Sequence, residues 1–169
     1  KTIKHAQIVL VISTKPDAFA LVRASNHGVP SAIVSRKDCA SAGEFEEKIL
    51  ELLEKYKIEL IVLAGFMSIL SKDFVKKYEK RIINVHPSLI PAFCGKGYYG
   101  LAVHKAALDY GVKVTGATVH YVNEVPDGGE IILQRSVYIK KGETPESLQQ
   151  RVMRRAEWII LPRAVEIVA

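Results

Sequence analysis

The segment Ile82-Ile83-Asn84-Val85-His86-Pro87-Ser88-Leu89-Ile90-Pro91 joins a short apolar run to a loop that contains two prolines. The run from Ile82 to Val85 is mostly β-branched, which predicts a strand in the core of a sheet. Asn84 and His86 lie two residues apart, so both side chains point to the same face of an extended strand. Buried polar side chains need partners. The segment therefore predicts a core strand with paired polar groups near its carboxyl end.

Similar apolar runs occur earlier in the chain, at Ile8–Ile12, Ser31–Val34 and Leu60–Leu63. Segments with helical spacing separate them, such as Glu44–Tyr56, in which apolar residues recur every three or four positions. Strands that alternate with helices predict an α/β fold with a mostly parallel sheet and helices on both faces. We expect all four strands, including the one at Ile82–Val85, to belong to one sheet.

The last third of the chain has a different pattern. Val114–Val122 and Ile131–Ile139 are typical of paired strands around the turn Pro126-Asp127-Gly128-Gly129, which predicts an antiparallel C-terminal part. A final helix is expected to begin at Thr144, and Pro162 is expected to interrupt or end it.

Composition narrows the class of protein. The chain has 169 residues, of which 49% are hydrophobic and 25% charged, and this balance predicts one domain over residues 1–169. The net charge of +6 favours anionic small molecules as ligands. Nucleic acid is not expected as a partner, because the basic residues alternate with Glu, and no apolar run predicts membrane insertion. Cys39 and Cys94 lie in no metal-binding or disulfide spacing, so we expect a cytoplasmic protein without a metal.

Asn84, His86 and Asp127 are the candidate catalytic residues. Asn84 and His86 are equally compatible with a hydrogen-bonded pair that closes a strand and with a catalytic pair. Asp127 is compatible with ordinary turn chemistry and with a carboxylate that favours the charged form of a nearby His86.

These three residue types suit transfer of a formyl group to an amine. An amide and an imidazolium stabilise the oxyanion that develops during acyl transfer, and a carboxylate helps to move the proton that the amine releases. No serine or cysteine nucleophile is needed, so Ser88 and Cys94 are not candidates. His104 and His120 are more typical of structural or surface histidines.

The segment that follows the strand Leu60–Leu63 also lies at the carboxyl edge of the sheet, where ligands are expected to bind. Gly65 permits close approach to the backbone. The apolar residues that follow it, from Phe66 to Leu70, either fold back into the core or form a slot for a flat ring. Taken by itself, the segment favours packing into the core.

Four motifs in register identify a family. They are Ala64–Leu70, Asn84–Pro91, Gly116–Val122 and Asp127–Gln134, and they resemble the phosphoribosylglycinamide formyltransferases, which are folate-dependent. The match is strong from Glu59 to Pro162 and looser from Ile8 to Tyr56. The resemblance implies a Rossmann-like formyltransferase fold. It also implies formyl transfer from 10-formyltetrahydrofolate to glycinamide ribonucleotide in de novo purine synthesis, and it allows a homodimer.

The resemblance assigns roles to individual positions. Asn84, His86 and Asp127 correspond to the catalytic amide, imidazole and carboxylate. The residues implied to hold the folate are Met67, Ser68, Ile69, Leu70, Asn84, Asn123, Glu124, Val125, Pro126 and Asp127. The residues implied to contact the ribonucleotide are Gly65, Pro87, Arg154, Arg155, Ala156 and Glu157.

The sequence departs from the family pattern at three places. Ser68 stands where the family has Arg, in a contact that is largely made by the backbone. Ala42-Gly43 stands where the family has an Arg for the folate tail, and Arg36 or Lys37 is the open alternative. No glycine-rich phosphate loop precedes Ile8, so the first strand of the family is expected to be absent and the chain to be truncated at its N-terminus or completed by another chain. Weak binding of the ribonucleotide by this chain is then expected.

Two other functions fit the same residues. A formyltetrahydrofolate deformylase shares the Asn, His and Asp set and uses water as the acceptor. A non-catalytic folate-binding domain is expected if the phosphate loop is truly absent.

Overall fold

The computed structural model describes residues 3–169. Its strands are β1 (Val11–Ser13), β2 (Ser31–Ile33), β3 (Ile61–Leu63), β4 (Ile82–His86), β5 (Val114–Tyr121) and β6 (Ile131–Tyr138). Its α-helices are α1 (Phe19–Asn26), α2 (Ala42–Lys55), α3 (Lys72–Lys77), α4 (Leu101–Tyr110), α5 (Pro145–Val152) and α6 (Trp158–Val168). A 3-10 turn covers Arg36–Asp38, and a π-helical turn covers Met153–Glu157. The α/β class is confirmed.

The chain forms two compact units. Ala6–Glu59 make up the smaller unit, with β1, β2, α1 and α2. Residues 3–5 and Leu60–Ala169 make up the larger unit, with the remaining elements. The single domain over residues 1–169 stays a prediction.

In the smaller unit, β1 and β2 are parallel, and Ile12 lies opposite Ala32. Helix α2 begins where the Ser41 hydroxyl accepts a hydrogen bond from the Glu44 N–H, a favourable N-cap. Phe45, Ile49 and Leu53 of this helix are buried, as their spacing predicts.

In the larger unit, the strands pair in the order β3-β4-β5-β6. β3 and β4 are parallel, whereas β4 with β5 and β5 with β6 are antiparallel, which confirms the antiparallel C-terminal part. The register places Asn84 opposite His120 and His86 opposite Thr118. Because directly opposed residues share a face of a sheet, this register brings the polar side chains of β4 and β5 together.

The expectation of one sheet for the first four strands is wrong. β1 and β2 form a two-stranded sheet, and β3 and β4 belong to a four-stranded sheet. Among the strands of residues 3–169, β1 is hydrogen-bonded only to β2 and β3 only to β4, so no strand links the two groups.

The first predicted strand is also misplaced. The strand is Val11–Ser13 rather than Ile8–Ile12, and within residues 3–169 no strand precedes it. Ile8 is 61% exposed and lies outside the paired residues Val11–Ser13. Phe19 and Val22 of α1 are exposed as well.

Pro162 lies inside α6 rather than at its end. A proline removes the hydrogen bond to the carbonyl four residues earlier, which here belongs to Trp158, the first residue of α6. The irregularity in the C-terminal helical segment lies just before this position, in the π-helical turn. Pro162 therefore lies within the regular helix that follows this turn, and α6 continues through it to Val168.

Candidate active site at the ends of β4 and β5

His86, the last residue of β4, is 4% exposed, and both of its ring nitrogens face polar atoms. Nε2 lies 2.9 Å from the Phe93 carbonyl oxygen. Because a carbonyl only accepts hydrogen bonds, Nε2 carries the proton. Nδ1 lies 3.5 Å from Oδ2 of Asp127. The predicted approach of the Asp127 turn to His86 is confirmed.

The turn that carries Asp127 depends on its neighbours. The Gly128 N–H donates to the Val125 carbonyl at 2.9 Å, and Asp127 adopts a φ of 55°. A Cβ at Gly129 would lie 1.8 Å from the Tyr121 carbonyl oxygen, so only glycine fits there. The Asn123 side chain donates to the Gly128 carbonyl and accepts from the Val125 N–H. These contacts fix the Asp127 carboxylate at the carboxyl end of β4.

The Asp127 carboxylate has several hydrogen-bond donors around it. Oδ2 accepts from the Gly95 N–H at 2.8 Å, and Oδ1 lies 3.5 Å from Nε2 of His120. Burial opposes the charge, but the hydrogen bonds from His120 and Gly95 and the charge of His86 together hold the pKa of the Asp127 carboxyl below its usual value. The carboxylate is therefore ionised at neutral pH.

His120 belongs to this cluster, a position that the sequence analysis missed. Its Nδ1 donates to the Tyr121 carbonyl at 2.8 Å, and its Nε2 lies 3.3 Å from the Asn84 amide nitrogen and 3.5 Å from Oδ1 of Asp127. His120 is 2% exposed. Its alternation with Thr118 along β5 was visible in the sequence, but only the pairing with β4 shows that it faces Asn84.

His104 differs from the other buried histidines. It lies in α4 and is 1% exposed, and neither ring nitrogen has a hydrogen-bond partner among residues 3–169. Burial and the nearby charge of His86 lower the pKa of His104 to about 4. Its ring is therefore neutral at ordinary pH.

The loop after β4 is fixed by polar contacts. Thr118 Oγ1 donates to the Ser88 carbonyl at 2.7 Å and accepts from the Ile90 N–H. Ser88 is fully buried and donates to the Ala92 carbonyl, so its hydroxyl is not available as a nucleophile. Burial and the charge of Asp127 raise the pKa of the Cys94 thiol, which makes a thiolate nucleophile unfavourable.

Among the predicted folate residues, Met67 and Ile69 are 62% and 77% exposed, so packing of this segment into the core is wrong for these two side chains. Ser68 and Leu70 are half-buried, and Gly65 has a φ of 67°. The loop after β5 also exposes an apolar side chain, Val125. An ion pair of 3.0 Å between Lys72 and Glu124 joins the two segments.

The residues predicted to contact the ribonucleotide differ in how far they are exposed. Pro87 directly follows His86. Ala156 is fully buried, and its contact with the ribonucleotide stays a prediction. Glu157 ends the π-helical turn, and burial raises its pKa to about 7. Arg154 and Arg155 are exposed and line a groove beside β6.

Residues 3–169 hold neither a metal-binding cluster nor a membrane-spanning helix. No group of three or more His, Cys, Asp or Glu side chains is arranged to hold a metal ion. None of the helices in this part of the chain combines the length and the apolar character needed to cross a membrane.

Comparison with known proteins gives consistent matches. The family model described as formyl transferase matches residues 1–165. The trifunctional purine biosynthetic protein adenosine-3 of Gallus gallus is 44% identical over 169 residues, which are 100% of this chain and 16% of that protein. The chloroplastic phosphoribosylglycinamide formyltransferase of Arabidopsis thaliana is 37% identical over 88% of this chain and 51% of that protein. The chain thus spans well under two thirds of these relatives.

Solved structures match over more of their length. The crystal structure of phosphoribosylglycinamide formyltransferase from Anaplasma phagocytophilum has a TM-score of 0.85 and 37% identity, and the match covers 96% of this chain and 74% of that one. The corresponding structure from Bacillus halodurans has a TM-score of 0.87 and 32% identity, with 97% and 81% covered.

Proposed function

Because the chain belongs to the formyl transferase family, we propose that it transfers a formyl group from 10-formyltetrahydrofolate to the amine of glycinamide ribonucleotide in de novo purine synthesis. The observation that supports this most strongly is the convergence of Asn84, His86 and Asp127 at one end of β4, with distances of 3.3 to 3.5 Å between Asn84 and His120 and between Asp127 and both histidines.

In this proposal, His86 and Asn84 stabilise the formyl oxygen. The His86 Nε2–H donates to the Phe93 carbonyl in the structure, and we infer that the formyl oxygen takes the place of that acceptor. The Asn84 amide then provides a second donor. Fixed donors aimed at an oxygen that becomes negative are among the largest contributions to acyl transfer.

Asp127 has two tasks. Its carboxylate faces Nδ1 of His86 at 3.5 Å and so helps to orient the ring whose Nε2–H donates to the oxyanion. It also accepts the proton that the attacking amine releases. As the bond between the formyl carbon and the amine forms and the bond to the folate nitrogen breaks, this proton passes to the departing nitrogen.

The surface at Met67, Ile69 and Val125 suits a flat ring. All three side chains are more than half exposed although they are apolar, and contiguous exposed apolar patches are typical of binding sites. The exposed ion pair between Lys72 and Glu124 brings the start of α3, just after Leu70, close to the loop that carries Val125. We infer that they contact the pterin ring from two sides, with polar contacts to the backbone near Ser68 and Asn123.

A kinetic assay of the full-length protein tests the proposal. The assay follows loss of 10-formyltetrahydrofolate with glycinamide ribonucleotide present or absent and measures formate in the same samples. We expect turnover that requires the ribonucleotide and does not release formate. His86→Ala should remove most of it, whereas His27→Ala, at an exposed histidine, should not.

The alternatives predict other results. A deformylase would release formate without the ribonucleotide. A non-catalytic folate-binding protein would bind the folate and show no turnover at all. Either outcome would contradict the proposed formyl transfer to the ribonucleotide.

We also propose that the protein acts in the cytoplasm on small molecules, without nucleic acid or a membrane as a partner. Free Cys39 and Cys94 are compatible with a reducing compartment.

A further inference from the structure

Two adjoining depressions lie beside β6. The first, of about 350 Å³, is lined by residues of β6 together with Lys140, Arg151 and Arg155. The second, of about 290 Å³, is lined by the helical segment and shares Arg151 and Arg155 with the first. We call the combined surface the arginine groove and define it by its five cationic residues, which are Arg135, Lys140, Arg151, Arg154 and Arg155.

The positive charges of the arginine groove are largely uncompensated. None of the described residues that line the two depressions is acidic. The neighbouring carboxylate is Glu143, whose two oxygens accept from Nε of Arg151 at 2.6 Å and from Nη2 of the same side chain. Lys140, Arg154 and Arg155 have no ion-pair partner among residues 3–169. Five cations thus share one carboxylate.

Two of the guanidinium groups are held in place. Glu143 orients Arg151 through two contacts, and Arg135 donates from Nε to the Arg155 carbonyl at 2.6 Å. Donors that are already fixed lose less side-chain entropy when a ligand binds. Arg135 and Arg151 therefore form a preorganised part of the groove.

Three arginines of the groove, Arg151, Arg154 and Arg155, lie close together in the C-terminal helical segment. Arg151 and Arg155 are four residues apart, and Arg154 lies between them in the chain at a spacing of three from Arg151. Arg151 and Arg155 line both depressions, so these like charges lie close together and repel each other. A bound anion would remove this repulsion.

The groove lies apart from the candidate active site. Thr118 is opposite both His86 and Gln134, so these residues share one face of the sheet. Arg135 is the next residue along β6, and successive side chains of a strand point to opposite faces. Arg135 is therefore on the face opposite to His86.

We propose that the arginine groove binds a linear anion of two or three linked phosphate groups. Guanidinium groups match phosphate oxygens in geometry and charge. The cations extend over two depressions that share Arg151 and Arg155, so a single phosphate would reach only part of them. In this proposal, Arg154 and Arg155 bind the phosphate anion. Glu157 remains a predicted contact of the ribonucleotide. The proposal does not depend on the formyl transfer reaction.

Calorimetric titration of the full-length protein with inorganic tripolyphosphate at constant ionic strength tests the proposal. We expect one site per chain and a weaker response to inorganic phosphate. The double variant Arg135→Gln/Lys140→Gln should lower the affinity for tripolyphosphate about tenfold or more, because it removes two charge-assisted contacts. Thermal unfolding of the same variant checks that it folds.

The matched control is Arg81→Gln/Lys76→Gln. It removes the same two charges at exposed positions, and Arg81 also donates to a backbone carbonyl, that of Lys77. We expect it to leave the affinity unchanged. The proposal would be overturned if the protein did not bind tripolyphosphate. It would also be overturned if the control lost as much affinity as the groove variant, because the binding would then depend only on the net charge of the protein. Loss of tripolyphosphate binding in His86→Ala would overturn it too, because the anion would then occupy the active site.

Discussion

Asp127 and Glu157 are two partly buried carboxyl groups of the larger unit, and their surroundings shift their pKa values in opposite directions. Asp127 lies in a turn where Gly95 N–H, His86 and His120 approach its oxygens. Glu157 lies at the end of the π-helical turn, and no hydrogen bond or ion pair to its side chain is present among residues 3–169. Hydrogen-bond donors outweigh burial at Asp127, whereas burial acts alone at Glu157.

Because their pKa values differ, the two carboxyl groups are suited to different chemical roles. A carboxylate that stays ionised is able to accept a proton from the attacking amine, as proposed for Asp127. A carboxyl group whose pKa is about 7 is half protonated near neutral pH and is able to donate as well as accept a hydrogen bond.

The largest effect is expected for Asp127→Asn. The amide keeps the shape but removes the charge that faces His86 and His120, so formyl transfer should fall by about 10²–10⁴-fold. Folate binding should be largely retained. Steady-state kinetics and a folate titration measure the two quantities, with Asp109→Asn as a control at an exposed ion pair with Lys105. Near-normal turnover of Asp127→Asn would refute its catalytic role.

The next effect concerns the geometry of the Asp127 turn. Gly129→Ala would place a Cβ against the Tyr121 carbonyl, so the turn must shift. We expect a loss of about 1–3 kcal/mol in the free energy of unfolding, typical of overpacking, and a lower turnover. Denaturant unfolding measures the first. Gly43→Ala in α2 is the control, since its Cβ would meet only ordinary contacts, and an equal loss in both variants would contradict the steric account.

A smaller, pH-dependent effect is expected for Glu157→Gln. Because the folded pKa of about 7 lies above the usual value of 4.5, this carboxyl group stabilises the fold fully below pH 4.5, and the contribution is lost as the pH rises through 7. The glutamine cannot ionise. The variant should match the parent at pH 4 and exceed it by roughly 1–3 kcal/mol above pH 8.

Thermal or denaturant unfolding at several pH values measures this difference. Glu146→Gln, at an exposed position of α5, is the matched control and should show no such pH dependence. If the stability of Glu157→Gln followed the parent at every pH, the Glu157 carboxyl would be solvated and ionised in the folded protein.

Sequence reasoning succeeded where the signal is local. The β-branched run at Ile82–Val85 predicted β4, and the spacing of Asn84 and His86 placed both side chains on one face. The glycines after Asp127 predicted its turn. Each of these features depends on a few neighbouring residues.

The remaining features depend on contacts between distant parts of the chain. His120 joins the cluster only through the register of β5 against β4, which the sequence of β5 does not contain. The exposure of Ile8 and the division into two sheets depend on which strands pair. The raised pKa of Glu157 follows from burial at the π-helical turn, and regular helical periodicity does not predict that turn.

Carbon-detected NMR titration of the two side-chain carboxyl groups tests most directly whether their surroundings set opposite charge states. The account predicts that the Glu157 carboxyl titrates near pH 7 and that the Asp127 carboxyl titrates below its usual value of 3.8. In His120→Ala, the Asp127 titration should move upward, because one of its donors is removed. The account would be contradicted if Asp127 titrated above Glu157, or if both groups titrated at their ordinary values.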